Sequence, residues 1–309
     1  MVKVRVGYGY GGQGVRPIDP AGYEALVDGL ERLGFDSLWL TERVNADTLD
    51  PVAGLAFAAG RTRHLKLGTA VMVLPGRNPV LLAKELATLD QLSRGRLLPA
   101  FGLGIVNPQE QQAFGVRREE RAAWFEEALP LVRRLWAEDE VTYHGPRFHL
   151  QGVSVRPKPT KAALDVWLGG ALPRELERVG RLSDGWLPSF LTPAEAAVGR
   201  RIVEEAAGRA GREIEEDHFG ALVQYSMRPL SEAEAQLIRR RRERIGPVEV
   251  ERLVPVGVRA LRTRLEEFLE VGVSKFVVVP LRPPDSWPEE LAAVAEQVLP
   301  LQTPAGEAA

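Results

Sequence analysis

The chain has 309 residues, of which 45% are hydrophobic, a formal net charge of −2 and no cysteine. A chain of this length can bury a full core, and the lack of cysteine excludes disulfides and thiolate metal sites. The near-neutral charge gives no electrostatic reason to expect nucleic acid or an anionic membrane as a partner.

The first residues, MVKVRVGYGY, are predicted to form a strand rather than a secretory leader. No apolar run approaches the roughly 18 residues that a membrane span requires. We therefore expect a cytoplasmic protein without a membrane segment.

Eight apolar segments are predicted to be strands. They lie at residues 2–10, 37–42, 65–73, 96–104, 165–170, 185–189, 219–227 and 275–281. Between them, apolar residues recur with the period of an amphipathic helix, as at Leu82, Leu86 and Leu89. Strands that are apolar on both faces and alternate with helices indicate a parallel sheet that is covered on both sides.

The junctions from strand to helix share one chemistry. Four of them place a side-chain acceptor directly before a proline: Asp19-Pro20, Asp50-Pro51, Asn78-Pro79 and Thr192-Pro193. This order caps a helix N-terminus and puts proline where its missing N–H costs nothing. Helix ends are predicted at Gly34, Gly211 and Gly272. Eight such units favour a (β/α)8 barrel over residues 1–301, with 302–309 as a disordered tail.

Residues 7–12, GYGYGG, match the G-x-G-x-x-G spacing of a dinucleotide-binding loop. That motif needs a helix to begin within the glycines, whereas Pro17 and Pro20 delay any helix until after Asp19. An NAD-dependent Rossmann dehydrogenase is therefore the less favoured alternative. We interpret the glycines as the start of the first loop of the barrel.

In a (β/α)8 barrel the chemistry takes place at the C-terminal ends of the strands. The four histidines are His64, His144, His149 and His218. None of them is predicted to lie at a strand C-terminus, which leaves little support for a histidine metal site or a Ser-His-Asp triad. We predict no metal site.

The predicted strand ends are rich in glycine and aromatic residues. This lining is typical of a site for a flat organic cofactor that carries the reactive chemistry itself. The candidates for cofactor binding are Tyr8, Met72, Gly102, Gly104, Gly169, Gly170 and Ser189. Gly169 and Gly170 precede a helix predicted to begin near Pro173, where bare N–H groups suit a phosphate. The alternative is that these two glycines only make a tight turn.

Much of the chain resembles the bacterial luciferase-like flavin and deazaflavin oxidoreductases. The resemblance is carried by residues 35–43 (FDSLWLTER), 68–97 (GTAVMVLPGRNPVLLAKELATLDQLSRGRL), 101–104 (FGLG), 167–189 (WLGGALPRELERVGRLSDGWLPS) and 272–280 (GVSKFVVVP). It implies a (β/α)8 TIM barrel with an inserted segment between strand 7 and helix 8. It also implies a homodimer and either coenzyme F420 or FMN at the strand C-termini.

The resemblance further implies a non-prolyl cis peptide bond in the third strand, by position between Ala70 and Val71. The bond would form a bulge against the central ring of the cofactor. Ala70 and Val71 therefore join the predicted cofactor-binding residues.

Two positions depart from the family pattern. Arg43 follows Glu42 where many members have histidine, and Ile105 stands where some deazaflavin enzymes have an acidic proton donor. Arginine stays protonated near neutral pH and cannot act as a general base. Glu42 and Arg43 are our candidate catalytic residues, Arg43 by polarising a carbonyl or the ring. The alternative is that the two form a structural ion pair.

The sequence thus predicts an oxidoreductase that uses F420 or FMN to transfer a hydride to or from, or to mono-oxygenate, a small organic substrate. Residues 71–96 are slightly more similar to the deazaflavin branch. A separate reductase that supplies reduced cofactor is an optional partner. Because of Arg43 and Ile105, a non-catalytic flavin-binding barrel is the alternative.

The run RRRRER, residues 239–244, falls in the inserted segment. We interpret it as a solvated helix face, because acidic residues such as Glu232 and Glu249 lie close by. A lid that attracts phosphate is the alternative.

Overall fold

The structure, a computed structural model, describes residues 2–11, 19–161 and 163–304. Its strands are β1 (Arg5–Tyr10), β2 (Ser37–Leu40), β3 (Lys66–Thr69), β4 (Met72–Val73), β5 (Leu97–Leu98), β6 (Ala100–Gly102), β7 (Val141–His144), β8 (His149–Val153), β9 (Trp167–Leu168), β10 (Gly185–Trp186), β11 (Gly220–Tyr225) and β12 (Lys275–Pro280). Its α-helices are α1 (Pro20–Leu33), α2 (Pro51–Arg61), α3 (Pro79–Ser93), α4 (Pro108–Phe114), α5 (Arg121–Ala137), α6 (Pro173–Leu182), α7 (Pro193–Arg209), α8 (Glu232–Arg242), α9 (Val258–Glu270) and α10 (Trp287–Val298).

The strands close into the predicted (β/α)8 barrel. Six strands pair in the order β11-β12-β1-β2-β3-β5, and four more in the order β10-β9-β6-β4. The two sheets are continuous on one side, because β3 with β4 and β5 with β6 are successive parts of the third and fourth barrel strands. On the other side, Trp186 and Ser189 bridge to Phe219 and Leu222. The remaining strands, β7 and β8, form a separate antiparallel hairpin.

Side chains alternate between the two faces of the barrel wall. The inner face holds a buried cluster of strand residues: Trp39, Ala100, Trp167, Leu187, Val277 and Val279. The outer face packs against the helices in a larger core that includes Val6 and Leu38 from strands and Leu26 and Leu82 from helices. The wall is therefore apolar on both faces, as the composition of the strands predicts.

Gly7 and Gly9 make room inside the barrel. A Cβ at Gly7 would overlap Ser37, and one at Gly9 would overlap Val279. Both glycines lie within β1, and the first described helix begins only at Pro20. The dinucleotide-loop alternative is therefore wrong, and so is the interpretation of Gly7 and Gly9 as part of the first loop, since both belong to the first strand. Residues 12–18, which include the end of the GYGYGG motif, lie outside the described part of the chain.

The helix boundaries follow the predicted capping chemistry at most positions. The side chains of Asp50, Asn78 and Thr192 accept hydrogen bonds from the first amides of α2, α3 and α7. Ser286 does the same for α10, whereas the side chain of Asp19 makes no such bond at α1. A positive φ occurs at each predicted terminal glycine, namely Gly34, Gly211 and Gly272.

The inserted segment lies between β11 and α9 and contains α8. Its apolar residues form a small cluster of their own: Ala235, Ile238, Val250, Leu253 and Val254. This cluster packs against Leu281, which follows the eighth barrel strand, and against Phe190, which follows the sixth. The segment therefore lies over the C-terminal ends of these strands.

Residues just past the predicted domain boundary contact the first strand. Gln302 Oε1 accepts a hydrogen bond from Val6 N at 3.0 Å, and Thr303 N donates to Val4 O at 3.2 Å. The ordered chain thus continues beyond residue 301, while residues 305–309 lie outside the described ranges. Within those ranges, no helix combines the length and the apolar composition that crossing a bilayer requires.

A buried chain of hydrogen bonds ties β1 and β11 to α10 on the outer face of the barrel. The hydroxyl oxygens of Tyr8 and Tyr225 are 2.7 Å apart, and Tyr225 OH donates to Glu290 Oε1 at 2.8 Å. Burial raises the pKa of both phenols. Tyr225 therefore serves two polar groups at once, the buried hydroxyl of Tyr8 and the partly buried carboxylate of Glu290.

Replacing Tyr225 with Phe is expected to lower the free energy of unfolding by about 1–3 kcal/mol, because Tyr8 and Glu290 both lose their partner. Tyr8→Phe should lower the free energy of unfolding by a smaller amount, because Tyr225 keeps its hydrogen bond to Glu290. Urea unfolding of the two variants and the double variant measures the difference. A smaller loss for Tyr225→Phe than for Tyr8→Phe would contradict this order.

Candidate functional site

The C-terminal ends of the strands surround a mouth with an apolar floor. Ala70, Val71 and Leu222 are partly buried and pack on the inner cluster from above. Side chains along a strand alternate between its two faces, so the residue two positions after an inward residue also points inward. The next inward positions therefore lie two residues beyond Trp39, Ala100, Trp167, Leu187 and Leu222. They are Thr41, Gly102, Gly169, Ser189 and Gln224. The structure thus brings the predicted residues Ala70, Val71, Gly102, Gly169 and Ser189 to one place.

The third barrel strand is interrupted at Ala70 and Val71, between β3 and β4. The peptide bond between these residues is cis, which confirms the prediction. Thr41 Oγ1 donates a hydrogen bond to Ala70 O at 3.0 Å, and Ala70 N donates to Leu40 O at 2.8 Å. The second strand therefore holds the interruption in place.

A glycine allows Val71 to lie against the fourth strand, and Val71 also approaches Gly169 of the fifth. A Cβ at Gly102 would come within 2.6 Å of Val71 Cγ2, and one at Gly169 within 3.7 Å of Val71 Cγ1. Any side chain at Gly102 would therefore displace Val71. Gly104, two residues further on, has a φ of 78°, a conformation that favours glycine. Backbone rather than side chain thus forms the floor at the fourth and fifth strands.

Glu42 is buried, and both of its carboxylate oxygens have partners. Oε2 accepts a hydrogen bond from Val73 N at 2.6 Å, and Oε1 pairs with Arg77. Arg77 Nε donates to Val73 O at 2.8 Å, so the three residues form one unit. Burial raises the pKa of Glu42, and Arg77 and the Val73 amide oppose that rise. Glu42 is thus placed to position β4 just after the interruption.

Arg43 pairs with a different acid. Its Nε lies 2.6 Å from Oε1 of Glu110, a buried residue of α4. The alternative of an ion pair between Glu42 and Arg43 is therefore wrong. Arg43 stays partly exposed at the rim of the mouth.

The N-terminus of α6, the predicted phosphate site after Gly169 and Gly170, is occupied by a side chain of the protein. Glu175 Oε2 accepts hydrogen bonds from Ala171 N at 2.9 Å and from Leu172 N at 3.2 Å. A phosphate would have to displace this carboxylate to reach the two amides. The contacts therefore support the tight-turn interpretation of the glycines.

Two predicted cofactor-binding side chains point away from the mouth. Tyr8 and Met72 are fully buried in the outer core between strands and helices. Tyr8 lies within β1, which continues to Tyr10, and strand alternation turns it outward. In an unbroken strand, the side chain of Met72 would point to the inward face, as Gly68 does. The interruption shifts the alternation by one residue and turns Met72 to the helices.

Gln224 is a buried polar residue of the mouth that the sequence interpretation missed. It is 9% exposed, and its Oε1 has no hydrogen-bond partner among the described residues. It lies two residues beyond Leu222, on the inner face of β11. Because a buried unpaired carbonyl costs about 1–3 kcal/mol, this oxygen is suited to accept a bond from a bound molecule. The available signal was a polar residue at an inward position of GALVQY.

Two ion pairs anchor the inserted segment beside the mouth. Arg242 is buried, pairs with Glu195 at the start of α7 and donates a hydrogen bond to the carbonyl of Phe190. Arg282, which follows β12, pairs with Glu234 of α8. The segment is therefore tied to both the sixth and the eighth barrel strands.

The histidines lie away from the mouth. His64 and His218 precede β3 and β11, and His144 and His149 belong to the hairpin. Glu215, Asp217 and His218 are close enough together to be considered as metal ligands. They lie at the opposite end of the barrel, however, and Asp217 Oδ2 is already 2.6 Å from Lys275 Nζ.

That opposite end contains a charged cavity of about 240 Å³. Its ionic residues are largely paired, since Asp36 lies 3.4 Å from Arg5 and 3.0 Å from Lys66. In barrels of this kind the N-terminal face serves stability rather than chemistry. The mouth is therefore the candidate functional site.

A family model described as luciferase-like monooxygenase matches residues 2–271. A putative coenzyme F420-dependent oxidoreductase of Mycobacterium tuberculosis is 31% identical over 229 residues, which are 70% of this chain and 64% of that relative. The chain thus matches slightly less than two thirds of the length of this curated relative.

Solved structures share the fold at low sequence identity. The monooxygenase RslO1 from Streptomyces bottropensis has a TM-score of 0.76 at 23% identity, covering 96% of this chain and 99% of that one. An F420-dependent secondary alcohol dehydrogenase in complex with an F420-acetone adduct has a TM-score of 0.78 at 20% identity, covering 97% and 100%. Because the family match spans most of the barrel and solved proteins share its fold, we conclude that this chain belongs to the luciferase-like monooxygenase family.

Proposed function

We propose that the protein is an oxidoreductase that binds the tricyclic ring of coenzyme F420 or FMN in the mouth of its barrel. The observation that carries this proposal is the floor of the mouth, where Ala70, Gly102 and Gly169 face inward with little or no side chain. A flat ring needs an apolar surface from which no side chain projects. The buried inner cluster below closes this floor against water.

The residues present fit such a ring. Val71 would support one face by apolar contact, and Gln224 Oε1 would accept a hydrogen bond from the N–H at the polar end of a flavin or deazaflavin. This bond would satisfy the carbonyl that has no partner in the described part of the chain. When bound, F420 supplies or accepts a hydride, and reduced FMN activates oxygen.

We favour F420 and hydride transfer to or from a small organic substrate. The relative from Mycobacterium tuberculosis is named for F420, and the resemblance seen in the sequence of residues 71–96 also favours the deazaflavin branch. Mono-oxygenation with FMN is the second candidate, supported by the description of the family. Either cofactor would use the same floor.

The two candidate catalytic residues have different parts in this proposal. Arg43 is partly exposed at the rim and would orient a carbonyl or an anionic group of the substrate. Glu42 would act through β4 and so would be a positioning residue. A non-catalytic flavin-binding barrel remains the alternative, and it would bind cofactor without turnover.

A homodimer, a cytoplasmic location and, with FMN, a separate reductase are predictions that come from the sequence. We retain them as part of the proposal. Sedimentation of the purified chain would test the dimer independently of cofactor binding.

Fluorescence quenching during titration with F420 and with FMN tests the proposal most simply. We expect a dissociation constant in the micromolar range for one of them, about −8 kcal/mol. Failure of both to bind below about 1 mM would contradict a cofactor site. Reoxidation of the bound, reduced cofactor by a panel of aldehydes, ketones and enones then separates an enzyme from a binding protein.

The same titration with Ala70→Phe tests the position of the ring. The added side chain would occupy the floor, so affinity should fall by well over about tenfold, or 1.4 kcal/mol. Gly60→Ala is the matched control, because Gly60 lies on α2 with no atom within 4 Å of the added Cβ. Unchanged affinity in Ala70→Phe would move the ring elsewhere in the barrel.

Replacing Glu42 with Gln tests its positioning role. We expect the free energy of unfolding to fall by about 2–3 kcal/mol, because Arg77 loses a buried ionic partner. Urea unfolding measures the loss, with Glu204→Gln as the control for an exposed acid paired with Arg200. A Glu42→Gln variant as stable as the parent would argue that the carboxylate is not a structural anchor.

A further inference from the structure

The hairpin of β7 and β8 carries two of the four histidines on its solvent face. It forms a two-stranded sheet of its own, separate from the barrel wall. Its side chains alternate between two faces, and Val141, Tyr143 and Leu150 pack toward the main core. His144 and His149 lie on the opposite face and are exposed. The hairpin has no part in the cofactor site proposed above.

The register of the hairpin places the two histidines directly opposite each other. Residues that face each other in an antiparallel pair have Cβ atoms about 4.5–5.5 Å apart, so their side chains can meet. The centroids of the two imidazole rings are 6.2 Å apart, and the ring planes are inclined at 57°. Among the described residues, neither ring has a hydrogen-bond or ion-pair partner. Their nitrogen atoms are therefore available to a ligand.

The separation of the rings is within reach of a shared metal ion. A zinc–nitrogen bond is about 2.0–2.1 Å long and an imidazole nitrogen lies about 1 Å from its ring centre, so two rings that share an ion have centres up to about 6 Å apart. The observed 6.2 Å is at this upper limit. Exposed side chains rotate freely on a fast timescale, and small rotations would bring the two rings closer.

The turn between the two strands is fixed to α5. Glu127 Oε1 accepts hydrogen bonds from Arg147 N at 3.0 Å and from Phe148 N at 3.3 Å. The ring of Phe148 packs edge-on against Trp124, with centroids 5.5 Å apart. The hairpin thus holds its two histidines opposite each other before any ion is bound. Such preorganisation lowers the entropic cost of binding.

The cluster of Glu215, Asp217 and His218 is the competing metal site within the described ranges. Asp217 Oδ2 is 2.6 Å from Lys275 Nζ, and His218 Nδ1 is 2.8 Å from the carbonyl oxygen of Asp184. A metal ion would have to compete with the lysine for this carboxylate. The rings of His144 and His149 have no such competitor.

We propose that His144 and His149 together bind one divalent transition-metal ion, with water in the remaining coordination positions. Imidazole suits Cu²⁺, Ni²⁺ and Zn²⁺, and the general order of affinity makes Cu²⁺ the tightest of them. Mg²⁺ prefers oxygen ligands. The ion would link the two strands beside their turn. This site is independent of the proposed function, and it departs from the expectation of no metal site, which considered only the ends of the barrel strands.

Titration calorimetry of the tag-free protein with Cu²⁺, Zn²⁺ and Mg²⁺ tests the site. We expect one Cu²⁺ per chain, bound more tightly than Zn²⁺, and no Mg²⁺ binding that depends on either histidine. His144→Gln and His149→Gln should each weaken Cu²⁺ binding by at least about tenfold, because the second imidazole on the same hairpin binds intramolecularly. The controls are His218→Gln, from the competing cluster, and His64→Gln, an exposed histidine beside Glu31. Both should behave as the parent.

Electron paramagnetic resonance of the Cu²⁺-loaded protein gives a second readout. The parent should show coupling to two imidazole nitrogens, and each single hairpin variant to fewer. Cu²⁺ binding that is lost in His218→Gln and kept in His144→Gln would assign the ion to the competing cluster and overturn the proposal. A parent protein that binds Cu²⁺ no more tightly than the double variant His144→Gln/His149→Gln would overturn it as well.

Discussion

The mouth of the barrel depends on how the interruption in the third strand is held. Thr41 binds the carbonyl of Ala70, and the buried carboxylate of Glu42 binds the amide of Val73 and the side chain of Arg77. These bonds fix the chain on both sides of the two residues that leave the sheet. Without them, Ala70 and Val71 would have no defined place above the inner cluster, and the floor of the mouth would be lost.

Other features of the site follow from this constraint. Val71 can lie against the fourth strand only because Gly102 presents no side chain. The resulting floor is apolar, and at its edge lies the side-chain carbonyl of Gln224, which has no hydrogen-bond partner among the described residues. The inserted segment is held beside the mouth by Arg242, which binds the carbonyl of Phe190, and by the pair of Arg282 and Glu234. The floor and its polar edge thus come from different parts of the chain.

Sequence patterns predicted the barrel well, because each strand and helix carries its own periodicity and caps. They were less reliable for side-chain direction. Met72 was assigned to the mouth because it lies at the predicted end of the third strand, and the interruption turns its side chain toward the helices instead. Partners distant in sequence were also missed. Glu42 and Arg43 are adjacent in the chain, yet they pair with Arg77 and Glu110, which only the folded loops bring near.

A crystal structure of the protein bound to its preferred cofactor tests the central claim most directly. The ring is expected against the backbone of Ala70 and Val71, between Gly102 and Gly169. Gln224 Oε1 should lie within about 3 Å of a ring nitrogen. A ring bound elsewhere, such as at the charged cavity at the opposite end of the barrel, or a Gln224 carbonyl that stays without a partner, would contradict the account.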